Sequence, residues 1–293
     1  MKEIKGIITP AITPIRDGKI DKEGIKNLVD YLHRINVSGI FPTGTTGSSP
    51  ILSKELQKNV IKEFSEYKKE NELFLPGAGK NNIDETIEIS KFSEDLGADA
   101  LVIVTPYYMK MKQDSIYFYF ESILKKIETP VVIYNIPQLT GNSIYPETVK
   151  KLSENYSQVI GIKDSSGDMS FFQDYILKMN TTKLKVFQGQ DELLLSSLII
   201  GASGGVCGTT NFTNLAVKVM DAFSNGEIEK AKKFQENLSK IKNFLNGKTF
   251  PQSYSFLFYK IIMNMDVTGT PPPLTELKDD EKSEIYEKIK NIL

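Results

Sequence analysis

Val159-Ile160-Gly161-Ile162-Lys163-Asp164-Ser165-Ser166-Gly167 is a short apolar run that ends in a lysine and a cluster of small polar residues. Its β-branched residues and its Ser-Ser-Gly terminus predict a buried strand that stops at a loop. Lys163 stands at the end of that strand, with Asp164 as its one charged neighbour in the run. Burying an ammonium is costly, so such a lysine either reaches solvent and pairs with Asp164 or is held as the neutral amine. The neutral amine attacks carbonyls. The run by itself leaves both readings open.

Seven more β-rich runs lie to either side, at 6–13, 39–45, 73–79, 100–106, 130–136, 184–190 and 204–209. Helical periodicity fills the gaps. One helix follows Asp21 as N-cap, with Ile25, Leu28, Val29, Leu32 and Ile35 on its apolar face. A second follows Ser53, with Leu56, Val60, Ile61, Phe64 and Tyr67, and a third follows Asp84, with Ile87, Phe92 and Leu96. Strand–helix units in series imply parallel strands joined by right-handed crossovers. The expected fold is therefore α/β, a (β/α)8 TIM barrel over residues 1–224. A doubly wound open sheet is the runner-up, but no Gly-x-Gly-x-x-Gly follows the first strand. Beyond residue 224 the strand pattern stops. Helical patterns at 227–245, 253–265 and 279–293 predict a three-helix C-terminal extension over 225–293.

Composition narrows the chemistry. The 293 residues carry 36 basic and 37 acidic side chains, which points to no nucleic acid and no anionic membrane as partner. No apolar run approaches the roughly 18 residues of a membrane span, and the first residues lack a signal-peptide core, so the expected location is cytoplasmic. Cys207 is the single cysteine and His33 the single histidine, and His33 falls inside the first helical pattern. That argues against histidine triads and against zinc sites, which draw on His and Cys. Proton transfers are left to Tyr, Lys, carboxylates or water.

In a (β/α)8 barrel the active site lies at the C-terminal ends of the strands. Those ends carry Gly44-Thr45-Thr46-Gly47, Tyr107-Tyr108, Tyr134-Asn135, Lys163-Asp164-Ser165, Gly189-Gln190-Asp191-Glu192 and Gly204-Gly205-Val206-Cys207-Gly208. The expected pocket thus holds an amine, phenols, hydroxyls and glycines, with Asp164, Asp191 and Glu192 as its carboxylates and no metal cage. This inventory suits Schiff-base chemistry better than metal-assisted hydrolysis. Gly44–Gly47 is either a plain turn or an anion nest whose N–H groups and threonine hydroxyls hold a small carboxylate. Tyr134 is either a wall residue or a proton relay facing Lys163. Of Tyr107 and Tyr108, one is expected to point inward and the other outward. Cys207 reads as a buried filler.

These motifs, in this order and spacing, resemble the pyruvate-dependent class I aldolase and lyase family that includes dihydrodipicolinate synthase and N-acetylneuraminate lyase. Within it, Tyr134-Asn135-Ile136-Pro137-Gln138-Leu139-Thr140-Gly141, Lys163 to Met169 and Phe187-Gln188-Gly189-Gln190-Asp191 look most similar to archaeal 2-keto-3-deoxygluconate aldolases. The resemblance implies catalytic roles for four residues. Lys163 forms the Schiff base with pyruvate, Tyr134 shuttles protons, Thr45 joins the relay, and Tyr108 completes it from a neighbouring subunit. It also implies that Thr45 and Thr46 bind the carboxylate and Val206 contacts pyruvate through its backbone. Ser165, Gly189, Asp191 and Glu192 would meet sugar hydroxyls. No metal or organic cofactor is implied; the partners are pyruvate, an aldehyde and a 2-keto-3-deoxy sugar acid, and the assembly a homotetramer. Two departures stand out. Leu139 occupies the place where dihydrodipicolinate synthases carry an arginine, and leucine cannot pair with a carboxylate. Ser48 replaces a glutamate common in relatives. The expectation is an aldolase that splits 2-keto-3-deoxygluconate, or its 6-phosphate, into pyruvate and glyceraldehyde or its phosphate. The alternatives are a dihydrodipicolinate synthase, a neuraminate lyase, or a non-enzymatic keto-acid sensor. Lys110 and Lys112, beyond Tyr108, are candidates for a phosphate or plain solvated charges.

Overall fold

The computed structural model describes residues 2–179 and 184–293. Eight parallel strands form one sheet: β1 (Gly6–Pro10), β2 (Gly39–Phe41), β3 (Leu73–Phe74), β4 (Leu101–Val104), β5 (Val131–Asn135), β6 (Val159–Asp164), β7 (Lys185–Gln188) and β8 (Gly204–Val206). The spatial order is β3-β2-β1-β8-β7-β6-β5-β4. A parallel bridge between Gly77 and Val102 joins the two edges. Val102 N–H donates to the Pro76 carbonyl at 3.0 Å and Ala78 N–H to the Val102 carbonyl at 3.1 Å. The ring is closed, so the barrel expectation holds over the open sheet.

Between the strands run α1 (Lys22–Arg34), α2 (Lys54–Tyr67), α3 (Ile83–Asp95), α4 (Gln113–Leu124), α5 (Pro146–Asn155), α6 (Met169–Met179), α7 (Leu194–Ile199) and α8 (Leu215–Ser224). Asp21 caps α1 by accepting from Gly24 N–H, and Ser53 caps α2 by accepting from Leu56 N–H. The cap of α3 is Asn82, not Asp84; Asp84 sits in the first turn, where its charge favours the positive helix end. A two-stranded hairpin, Ile15–Arg16 with Lys19–Ile20, precedes α1.

Side-chain alternation divides the core in two. Ile133, Ile162 and Val186 face the helices and join the larger apolar cluster. Ile8, Phe41, Val132, Tyr134, Phe187 and Val206 face inward and fill the barrel. Since Ile162 faces outward, Lys163 faces in. It shares a level with Tyr134 on one side and Phe187 on the other.

Three more helices follow: α9 (Ile228–Leu245), α10 (Gln252–Ile262) and α11 (Asp279–Lys290). Ala231, Leu238 and Ile241 of α9 belong to the same apolar cluster as the barrel helices. Gln235 ties α9 to the mouth, donating to the Asp191 carbonyl at 3.1 Å and accepting from Leu195 N–H at 2.9 Å. Tyr259 of α10 donates to the Asp21 carboxylate at 2.9 Å, which links the extension to the cap of α1.

Candidate active site

The strand ends open into a cavity of about 470 Å³. Lys163 lies on its floor and is 4% exposed. Its Nζ stands 3.8 Å from the ring centroid of Tyr134 and 5.1 Å from that of Phe41. The two rings meet edge to face at 6.3 Å, so they hold each other as well as the lysine. Asp164 is not the partner of Lys163. It points to the opposite face of the sheet, where its carboxylate accepts from Asn135 Nδ2 at 2.7 Å and from Ser166 Oγ at 2.7 Å. Burial pushes the Asp164 carboxyl up from its ordinary range, and those two hydrogen bonds act in the other direction. The snorkelling ion pair is thereby excluded, and the amine faces the cavity.

The phenol of Tyr134 lies 3.4 Å from Thr45 Oγ1. Thr45 and Thr46 both line the cavity, on the loop after β2. That loop is bracketed by Thr43 and Ser48, both non-glycine residues with positive φ, of 56° and 61°. Such backbone is held only where its surroundings over-determine it. Here Thr43 Oγ1 donates to the Gly77 carbonyl at 2.9 Å and Thr13 Oγ1 to the Gly47 carbonyl at 2.7 Å. The buried Lys80 Nζ donates to the carbonyls of Ser49 and Leu52, and desolvation pushes its pKa down.

Ser165, Gly189, Glu192 and Val206 also line the cavity. Ser165 Oγ and Glu192 Oε2, both in this wall, are buried without a hydrogen-bond partner. Asp191 is in the wall too, but its carboxylate accepts from Gly208 N–H at 3.1 Å, from Thr209 N–H at 2.9 Å and from the Thr209 hydroxyl. Its role in this geometry is to fix the loop after β8, beside Val206. Glu192 Oε2 faces Lys242 Nζ at 3.9 Å. Cys207 is fully buried and burial pushes its thiol well up, which suits a filler.

Tyr107 and Tyr108 diverge. Tyr107 borders a smaller apolar cavity behind Thr45 and Tyr134, while Tyr108 is 90% exposed, has φ of 75°, and lines neither cavity. One chain therefore brings together Lys163, Tyr134, Thr45 and Thr46 but not Tyr108. His33 lies on α1 against Glu72 at 3.2 Å, remote from this site. Among the described residues no group of three His, Cys, Asp or Glu is placed to hold a metal ion. No helix among them is long and apolar enough to cross a membrane.

Sequence reasoning missed several wall residues. Phe41 has a signal: it ends β2 and, by alternation, points inward. Lys242, Asn246, Lys248 and Tyr254 come from the C-terminal extension and close one side of the cavity. Gln138 and Gln190 sit inside quoted motifs and also face it.

A closed parallel barrel whose mouth presents an inward lysine beneath a tyrosine, next to a Gly-Thr-Thr-Gly loop, defines the class as a (β/α)8-barrel lyase. The chain belongs to the dihydrodipicolinate synthetase family, whose model matches residues 3–292. It is 41% identical over 265 residues to a 2-dehydro-3-deoxy-D-gluconate/2-dehydro-3-deoxy-phosphogluconate aldolase of Picrophilus torridus, covering 90% of this chain and 97% of the relative. It is 32% identical over 293 residues to a 4-hydroxy-tetrahydrodipicolinate synthase of Methanopyrus kandleri, covering 99% and 97%. The solved 2-keto 3-deoxygluconate aldolase from Picrophilus torridus superposes with a TM-score of 0.89 at 40% identity, over 94% of this chain and 99% of that one. A prophage protein of the dihydrodipicolinic acid synthase family from E. coli, solved with pyruvate, gives 0.92 at 28% identity over 98% of both chains. The family resemblance legible in the motifs is confirmed.

Proposed function

We propose that this protein is a Schiff-base aldolase that reversibly cleaves 2-keto-3-deoxygluconate, or its 6-phosphate, to pyruvate and glyceraldehyde or its phosphate. The observation that carries the reading is the Lys163–Tyr134–Thr45 set at the cavity floor. The Lys163 amine adds to the keto carbon and water leaves, giving an iminium. The substrate hydroxyl two carbons away gives up its proton, the intervening carbon–carbon bond breaks, and its electrons move to the iminium nitrogen. Aldehyde departs; the remaining enamine is protonated on carbon, and water releases pyruvate. Throughout, the positive nitrogen lies over two ring faces, an attraction worth about 1–2 kcal/mol in a desolvated site. On this reading Tyr134 carries the protons, with Thr45, 3.4 Å from its phenol, as the next link.

Leu139 and the Picrophilus relatives favour the sugar-acid reading over a dihydrodipicolinate synthase. The test is an acceptor panel with pyruvate. Glyceraldehyde is expected to exceed aspartate semialdehyde and N-acetylmannosamine by about 100-fold or more in kcat/KM. Aspartate semialdehyde as the best acceptor overturns the assignment. In the proposed assembly Tyr108 enters a neighbouring subunit's site, consistent with its 90% exposure beside the exposed Met109 and Leu139.

The phosphorylated substrate has its own support, since Lys242 and Lys248 line the cavity. On this reading the extension, rather than Lys110 and Lys112, meets the phosphate. Replacing both Lys242 and Lys248 with Met is expected to lower kcat/KM for glyceraldehyde 3-phosphate about 10- to 100-fold, the worth of a charge-assisted hydrogen bond, and for glyceraldehyde much less. Equal losses on both aldehydes in steady-state assays count against it.

Gly189 has no room for a side chain. A Cβ there would lie 2.0 Å from Ser165 Oγ, 3.0 Å from the Asp164 carbonyl oxygen and 3.0 Å from Lys163 Cε. Gly189→Ala should push the serine hydroxyl aside and shift the lysine. Misplacement on that scale costs about 100-fold, so kcat/KM should fall by roughly that factor in steady-state assays.

A further inference from the structure

The carbonyl oxygen of Ser165, two residues beyond Lys163, receives two side-chain amides. Gln138 Nε2, from the short helical turn after β5, donates to it at 2.6 Å; Gln190 Nε2, from the loop after β7, donates at 2.8 Å. This fixes the orientation of both amides, because turning either one over would set its oxygen against another oxygen. Both side chains line the cavity, and neither Oε1 has a hydrogen-bond partner among the described residues. Ser165 itself is 2% exposed, and its hydroxyl, beside Gly189, is buried and unpartnered as well. The wall beyond the reactive amine thus offers two neutral acceptors of set direction and one hydroxyl able to donate or accept. Such a surface accepts O–H donors and repels a carboxylate.

From this arrangement we propose that Gln138 and Gln190 are specificity-determining residues, whose amide oxygens bind hydroxyls on the aldehyde half of the substrate. The proposal rests on the aldolase reading above and names the ligand class: the hydroxyl-bearing carbons of a polyhydroxy aldehyde. Ser165 contributes the third contact. The backbone tether explains why long, flexible glutamines serve here: each is pinned at one end of its amide, so little side-chain freedom is lost on binding.

The test compares Gln138→Met, Gln190→Met and the double variant with the unaltered protein, using pyruvate with D-glyceraldehyde or with propionaldehyde. Propionaldehyde has the same carbon count and no hydroxyls. Each single change is expected to lower kcat/KM for glyceraldehyde about 10-fold and the double change about 100-fold, since a site built to bind hydroxyls discriminates through them. Propionaldehyde rates should move less than about threefold, within the range of indirect effects. Borohydride trapping of the pyruvate adduct, followed by mass spectrometry, should be unchanged in all variants. An unchanged glyceraldehyde-to-propionaldehyde ratio in the double variant, with trapping intact, overturns the proposal; so does an equal fall on both aldehydes, which marks a purely structural tether. Absence of trapping in the unaltered protein instead removes the Schiff-base reading itself.

Discussion

Lys163→Met gives a folded protein that no longer forms a borohydride-stable adduct with pyruvate and whose kcat/KM for aldol cleavage drops by about four orders of magnitude or more. The size follows from the proposed mechanism. Without the iminium there is no electron sink for the breaking carbon–carbon bond, and no adjacent group substitutes. The other lysines of the cavity, Lys242 and Lys248, belong to the extension that forms its far wall. Methionine nearly matches the lysine stem in length, and its thioether packs well against the faces of Tyr134 and Phe41. The variant also removes an ionisable group that is 4% exposed, so thermal stability should hold or rise. Mass spectrometry of the reduced adduct, kinetics and a melting curve form one experiment. An adduct that persists in the variant, or activity within tenfold of the unaltered protein, would show that Lys163 is not the nucleophile.

The parallel barrel is legible because the repeat of strand and helix fixes parallel pairing. Val159–Ile162 is apolar throughout, so the run alone does not say which way Lys163 points; its place at a barrel mouth, level with Tyr134, does. Boundaries are less legible. The apolar run 73–79 predicts a long strand, yet the ladder covers Leu73–Phe74 and resumes only at the Gly77 bridge. Pro76 has no N–H to donate, so its carbonyl alone takes part. Asn82 and Asp84 are both good caps, and spacing alone does not choose between them. Asp17-Gly18, both with positive φ, is a hairpin signal that the strand–helix pattern obscured. What the sequence withholds is tertiary. An amphipathic pattern shows that α9 buries one face, but not that its C-terminal end, through Lys242, Leu245 and Asn246, walls the site. The engagement of Asp191 with the backbone of Gly208 and Thr209 joins groups seventeen and eighteen positions apart, and no periodicity reports it.

Tyr134→Phe should separate binding from proton transfer. The phenylalanine ring keeps the face that lies 3.8 Å from Lys163 Nζ and the edge contact with Phe41, so the lysine stays where it is. Only the hydroxyl is lost, together with its 3.4 Å contact to Thr45 Oγ1. That contact is long for an O–H···O bond, so its loss should cost under about 1 kcal/mol of stability. In the proposed mechanism, by contrast, the proton relay has no substitute at that place. Positioned proton transfer contributes about 10²- to 10⁴-fold, so kcat should fall within that range while the pyruvate adduct still forms, more slowly. Thr45→Val removes the next link and should cost less. The double change should cost about as much as Tyr134→Phe alone, because two residues that act in one relay are not additive. A double variant whose losses multiply would place Thr45 outside the relay and leave it the carboxylate alone. Full kcat in Tyr134→Phe would move the proton shuttle to another group, with Tyr134 serving only as the aromatic floor beneath the amine.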